Sequence, residues 1–186
     1  TGALFGFINS SQQIFADVFD AEAAFPAVFA LIAGGIAVAS IVNARMVVRL
    51  GSRRISHTAL IGFTAISAVH AVVSLLGLES IWTFAVLQTL TMFCFGLIAG
   101  NFGAMAMETM GHIAGTAASI QGFVSTVAGS LLGFAIGQQF NGTTAPMTLG
   151  FTVFGLIALG LVLFAERGRL FRAHHQPPPA PSPSKA

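Results

Sequence analysis

Charge is what this sequence has least of. Only 8% of its 186 residues are Asp, Glu, Lys or Arg, while 55% belong to the apolar set. A soluble domain carries about 25% charged residues to solvate its surface. Charge-free stretches this long cannot be arranged around one hydrated globule, so a water-exposed domain is excluded and lipid is the expected solvent. Cysteine is nearly absent too: Cys94 stands alone inside an apolar stretch, which excludes an intrachain disulfide and leaves a small buried hydrophobe. The few basic residues cluster beside apolar spans without interleaved aromatics, which argues against nucleic acid as a partner. No basic region precedes the first apolar stretch, so it does not read as a signal peptide. The chain opens at Thr1 rather than at a methionine, and that first stretch ends near Phe15. It is short for a span of about 20 residues, and a truncated first helix is expected.

What is present is a series of uncharged runs. They predict a partial span over about 1–15 and complete spans over about 23–44, 55–78, 80–107, 113–138 and 146–165. The last two come from one long run, divided at Asn141-Gly142-Thr143-Thr144-Ala145-Pro146, where Pro146 suits the first turn of a helix. Arg45, Arg49, Arg53 and Arg54 mark one basic connection, and Arg167, Arg169, Arg172 and Lys185 mark the tail. Positively charged loops are retained in the cytoplasm. Four spans separate the two clusters, so both face the cytoplasm, with Asp17, Asp20, Glu22 and Glu79 on the outer side. The basic, proline-rich segment 166–186 reads as a disordered cytoplasmic tail whose His174–His175 pair is incidental rather than a metal site.

No charged residue falls in the middle of a complete span, so no embedded proton-carrying carboxylate is expected. Amides remain. Asn9, Gln12 and Gln13 fall in the partial first helix, and Gln88, Met92 and Phe95 follow i, i+4, i+7 along one later face. Asn9, Gln13, Gln88, Met92, Phe95 and Asn101 are the candidate substrate-binding groups of an apolar cavity with a few orienting hydrogen bonds, interhelical bonding being the competing role. His70 reads as structural or interfacial, since no second ligand has suitable spacing. Gly96, Gly100 and Gly103 weaken the helix around Asn101, as in transporters and also in channels. In the fifth apolar span Gly115, Gly122, Gly129, Gly133 and Gly137 recur at spacings of 7, 7, 4 and 4, a stripe for static packing or for helices that slide. Glu108 and His112 bracket a short cytoplasmic turn, and pairing of Glu108 with Arg45 or Arg49 would make a contact that shifts as the bundle changes state, unless Glu108 is simply a solvated helix end.

The segment Asn43-Ala-Arg45-Met-Val-Val-Arg49-Leu-Gly51-Ser-Arg53-Arg54 resembles the Arg/Gly loop after the eighth helix of twelve-helix major facilitator transporters. The run Gly111-His-Ile-Ala-Gly115-Thr-Ala-Ala-Ser-Ile-Gln121-Gly122 is similar to the entry of the eleventh helix in the bicyclomycin-resistance (Bcr/CflA) branch of drug:proton antiporters. The resemblance covers about residues 1–165. Val48 stands where the superfamily's amino-half version of the loop carries an Asp. The resemblance implies an all-α, polytopic membrane bundle, the carboxyl-terminal six-helix half of a twelve-helix fold that rocks against a missing amino-terminal half. It also implies a cavity lined by the seventh and tenth helices and gates formed by the eighth and eleventh. Gating positions are then Arg45, Arg49, Gly51, Arg53, Glu108, Gly115, Gly122 and Gly129. The expected function is multidrug efflux: secondary export of small amphipathic, drug-like molecules in exchange for protons across a bacterial inner membrane, without catalysis, cofactor or metal. A self-contained helical scaffold or channel subunit is the alternative of a different class. An intramembrane hydrolase built on Ser125 and His70 is a distant third, because two such residues on separate helices carry almost no specificity.

Overall fold

The computed structural model describes residues 1–108 and 110–166; the basic tail residues and the histidine pair named above lie outside them. Within this range the chain is all-helical. Six α-helices follow one another: α1 (Gly2–Gln13), α2 (Phe25–Leu50), α3 (Ser52–Leu75), α4 (Ile81–Met107), α5 (Ala114–Gly137) and α6 (Ala145–Ala165). A π-helical turn, Ile14–Val18, prolongs α1, and short 3-10 turns, Glu22–Ala24 and Gly111–Ile113, lead into α2 and α5. The last five helices, two of them with their lead-in turns, are long and apolar enough to cross a membrane. At 1.5 Å per residue α4 alone is about 40 Å long, more than the hydrocarbon thickness of about 30 Å. The molecule is a helical membrane bundle.

Helix boundaries follow local chemistry. α2 continues past the charge-free run to Leu50, so Arg45 and Arg49 ride on its last turns and Arg53 and Arg54 on the first turn of α3. What reads as a basic loop in the sequence is two helix ends joined by a single residue, Gly51, at φ 77° and ψ 150°, a conformation essentially confined to glycine. At the other end of α3, Gly77 takes φ 66°. Its N–H donates to the Ser74 carbonyl at 3.0 Å and that of Leu78 to the Val73 carbonyl at 3.1 Å, a Schellman motif that turns the chain back. Ser80 caps α4 by accepting from the Thr83 N–H at 3.2 Å. Pro146 sits in the first turn of α6, behind an Asn141 side chain that accepts from the Thr143 N–H and hydroxyl.

The helices pair in a pattern with an internal symmetry. α1 packs chiefly on α5, α2 on α4, and α3 on both α4 and α6. Exchanging the first three helices with the last three turns α1·α5 into α4·α2, leaves α3·α6 unchanged and turns α3·α4 into α6·α1, which also touch. Direction obeys the same exchange. Gly129, Gly133 and Gly137 of α5 meet Thr1, Phe5 and Asn9 of α1 in ascending order, and Gly35 and Gly96 match Thr89 and Ala39 between α2 and α4, so both pairs run parallel. α3 and α6 run antiparallel, with Arg53 beside Glu166 and Ser74 beside Thr144.

Glycine sets these contacts. A methyl at Gly133 would lie 2.5 Å from Phe5 Cβ and 2.6 Å from its carbonyl carbon; one at Gly35, 2.9 Å from the Thr89 carbonyl oxygen; one at Gly155, 3.1 Å from Thr64 Cα. In lipid such backbone approach supplies the dispersion energy that holds helices together. The stripe expected along α5 therefore divides: Gly129 and Gly133 are buried against α1, Gly137 abuts Asn9, and Gly115 and Gly122 have nothing within 4 Å and are exposed. Gly133→Ala is expected to destabilise the protein in detergent by about 1–3 kcal/mol through overpacking. Gly122→Ala, with open space and better helix propensity, should be neutral or slightly stabilising. Equal thermal shifts for the two variants would contradict this division.

Candidate functional site

α3 is the polar helix of the bundle. It lies between α4 and α6 and buries Ser56, His57, Thr64, Ser67 and His70. Thr64 returns its hydroxyl to the Leu60 carbonyl at 2.8 Å, as Thr89 and Thr91 of α4 do to Ala85 and Leu87, so these side chains consume their own polarity. Ser67 does not. Its Oγ and both amide atoms of Gln88 are buried and have no hydrogen-bond partner among the described residues. Gly62 abuts Cys94 and the His70 ring lies 5.5 Å from that of Phe84. The antiparallel register so defined puts Ser67 level with Gln88. A buried amide left unpaired costs about 1–3 kcal/mol and calls for an explanation.

The six candidate binding residues do not converge on one site. Asn9, Gln12 and Gln13 are exposed on the open face of α1, whereas Gln88 and Met92 are fully buried. Phe95 lines a cavity of about 600 Å³ between α3, α4, α5 and α6, together with Phe63, Phe102, Phe154, Gln121 and Ser125. Gln88 and Met92 line neither this cavity nor a second one of about 550 Å³ beside Leu75, Asn141 and Pro146. Asn101 is an interhelical tie: its Nδ2 donates to Asn43 Oδ1 at 2.6 Å and to the Leu97 carbonyl at 2.8 Å.

Of the gating candidates, Arg45, Arg49, Gly51 and Glu108 are exposed. Among the described residues, the ion pair at this basic end joins Arg53 of α3 to Glu166, just beyond α6, rather than Glu108 to Arg45 or Arg49. Gly129 packs against Thr1 and Phe5, while Gly115 and Gly122 border open space.

At the opposite end lies a network that sequence reading passed over. His70 Nε2 is 2.5 Å from Glu79 Oε1, with 1% and 6% of the two side chains exposed. Thr144, at the start of α6, donates its hydroxyl to the other Glu79 oxygen. Ser74 then serves as donor to Thr144 Oγ1, at 2.5 Å. Read as an outer-loop charge, Glu79 is instead folded inward by the Gly77 turn. The available signal was isolation: Glu79 is the single charged residue between Ile55 and Met107.

No family model, curated protein or solved structure matches the chain.

The site's chemistry therefore rests on its own residues. They provide hydrogen-bond donors and acceptors, one acid–base pair and an apolar cavity, and no group of three metal-ligating side chains among the described residues. The Asn43–Asn101 bond is strong enough to measure. A double-mutant cycle with Asn43→Ala and Asn101→Ala, read by denaturation in detergent, should return a coupling of about 1 kcal/mol. Strict additivity would mean that the two amides do not bind each other.

Proposed function

We propose that the chain is the carboxyl-terminal six-helix half of a major facilitator-type secondary transporter, of the kind exemplified by the bicyclomycin-resistance antiporters. It exports small amphipathic, drug-like molecules across a bacterial inner membrane in exchange for protons. The observation that carries this reading is the exchange symmetry of the packing. Three is an odd number of crossings, so triplets related in this way traverse the membrane in opposite senses, and inverted three-helix repeats nested in a six-helix half are the architecture of that superfamily.

The distribution of polar groups supports the same reading. Asn9, Gln12 and Gln13 occupy the open face of α1, where an amino-terminal half would meet it, and the part of α5 at Gly115 and Gly122 is likewise exposed. The basic end, with Arg45, Arg49, Arg53 and Arg54, faces the cytoplasm. Gln88 is occluded in the described state and becomes available to substrate when the bundle rocks. An amide that the protein leaves unsatisfied is stabilised by whichever state brings it a partner, which is how a binding group favours one conformation over another.

The test is gradient-dependent accumulation of a fluorescent amphipathic dye in cells carrying the full-length protein, with and without a protonophore. Efflux abolished by the protonophore is expected. Gln88→Ala should weaken apparent dye affinity about tenfold, the equivalent of one lost hydrogen bond. Gln88→Met, which fills the same space without an unpaired amide, should raise thermal stability by about 1–2 kcal/mol while showing the same transport defect. Dye handling indifferent to the gradient would count against the transporter. Normal efflux in both variants would remove Gln88 from the binding site.

A further inference from the structure

We infer that His70 and Glu79 form a proton-binding site that latches the outer end of α3 to α6, and that release of its proton opens this end of the bundle. As the coupling site of a proton-driven transporter, this inference rests on the function proposed above; as a proton-operated latch, it rests on the geometry alone.

The pair is enclosed on every side. α3 supplies His70 and Ser74, the α3–α4 turn supplies Glu79, α4 closes over the imidazole with the edge-packed ring of Phe84, and Thr144 begins α6. Phe84 is itself fully buried and packs on Phe15 and Phe19 of the segment after α1. Few other titratable groups approach. α6 has none from Ala145 to Ala165, and α4 has only Cys94, ten residues beyond Phe84. On α3 the remaining ones, Arg53, Arg54 and His57, lie at least 13 residues from His70, about 20 Å along the helix. The segment carrying Phe15 and Phe19 contributes Asp17, Asp20 and Glu22, all exposed.

With one proton on the imidazole, the site holds a cation and a carboxylate and is neutral overall. When that proton leaves for water, a net negative charge stays in a space that excludes water. A buried charge without its partner is strongly destabilising. Glu79 stands beside the first residues of α6, to which Thr144 ties it. The proton whose loss strands the carboxylate is the one on the His70 imidazole that faces it. Relief comes when Glu79 turns outward to water. That movement breaks its bond from Thr144 and frees the start of α6 from the end of α3. The site lies at the end opposite the basic cluster, the side on which external protons arrive if the basic end is cytoplasmic.

The test places nitroxide labels at Leu76 and Leu149, both exposed, in the full-length protein with Cys94→Ala, reconstituted in lipid nanodiscs. Distances are measured from about pH 5 to about pH 9, the span over which imidazoles titrate. The wild-type pair should give a single short distance at the acid end and gain a longer population as pH rises. Glu79→Gln, which leaves no carboxylate to be stranded, should not gain the longer population as pH rises. His70→Gln should show the long population where the wild type is closed. A distance that ignores pH in the wild type, or a longer population that still grows with rising pH in Glu79→Gln, overturns the latch. Should Glu79→Gln not fold, the wild type decides: the midpoint of the distance change must coincide with the His70 ring titration, assigned by its loss from the NMR spectrum of His70→Gln, and non-coincidence overturns the proposal. The two readings also part cleanly. A pH-gated distance without proton-driven efflux leaves the latch standing and removes the transporter. Proton-driven efflux with pH-independent distances does the reverse.

Discussion

Helices dissolved in lipid gain little by hiding apolar side chains from one another, so close approach of backbones is the constraint on which this bundle depends. Each major contact outside the α3–α4 hairpin is made where one partner lacks a side chain. Gly129 and Gly133 admit α1 to α5, Gly35 and Gly96 bring α2 and α4 together, and Gly155 lets α6 lie against Thr64 of α3. The bulky residues of α5 and α6 that face outward, among them Phe123, Leu131, Leu161 and Phe164, are left to the solvent of the hydrocarbon core. α2 buries one narrow line, Val28, Ile32, Gly35 and Ala39, at the spacing of a single helical face. It is a helix held along a seam and otherwise exposed.

Close backbone packing fixes distance but does little to fix sliding along a seam. Polar ties do that here, and they sit at the ends. α3 and α6 are joined by Arg53 and Glu166 at the basic end and by Ser74, Thr144 and Glu79 at the other. α2 and α4 are tied near the basic end by Asn43 and Asn101. The middle of the α3–α6 seam has Thr64 with its hydroxyl turned back on its own helix. An interface clamped at its ends and smooth between them can tilt when one clamp releases, which is the mechanical requirement of a rocking bundle.

Much of the architecture was legible because charge is so costly in lipid that its absence outlines the spans. α4 occupies the charge-free run 80–107 almost to the residue, and the Asn141–Pro146 cluster separates α5 from α6. The end of α2 was less legible: arginines near the interface extend their charge to water while their backbone stays helical, so a basic cluster does not mark a loop. The site was the least legible part. Helical spacing placed Gln88, Met92 and Phe95 on one side of α4, but spacing alone does not say whether that side faces a cavity or another helix. Phe95 reaches a cavity while Gln88 and Met92 are covered by neighbouring helices. The pairing of His70 with Glu79 has no periodic signature, because a Schellman turn at Gly77 and not a helix repeat brings them together.

The interior amide and the buried acid–base pair are not independent features. Phe84, whose ring packs edge-on against His70, precedes Gln88 by one helical turn on the same side of α4. Ser67, level with Gln88, precedes His70 by three residues on α3. The two polar places therefore share both helices and are separated by a single turn of each. Tightly packed interiors have discrete arrangements rather than continuous ones, so on the proposed latch a movement of the His70 ring reaches the ring of Phe84 packed against it. Both amide atoms of Gln88 lack a partner among the described residues, while His70 and Glu79 are bonded to each other. Under the proposed function, the state that satisfies the amide is the one in which the latch has given way, and substrate at Gln88 opposes the proton at His70.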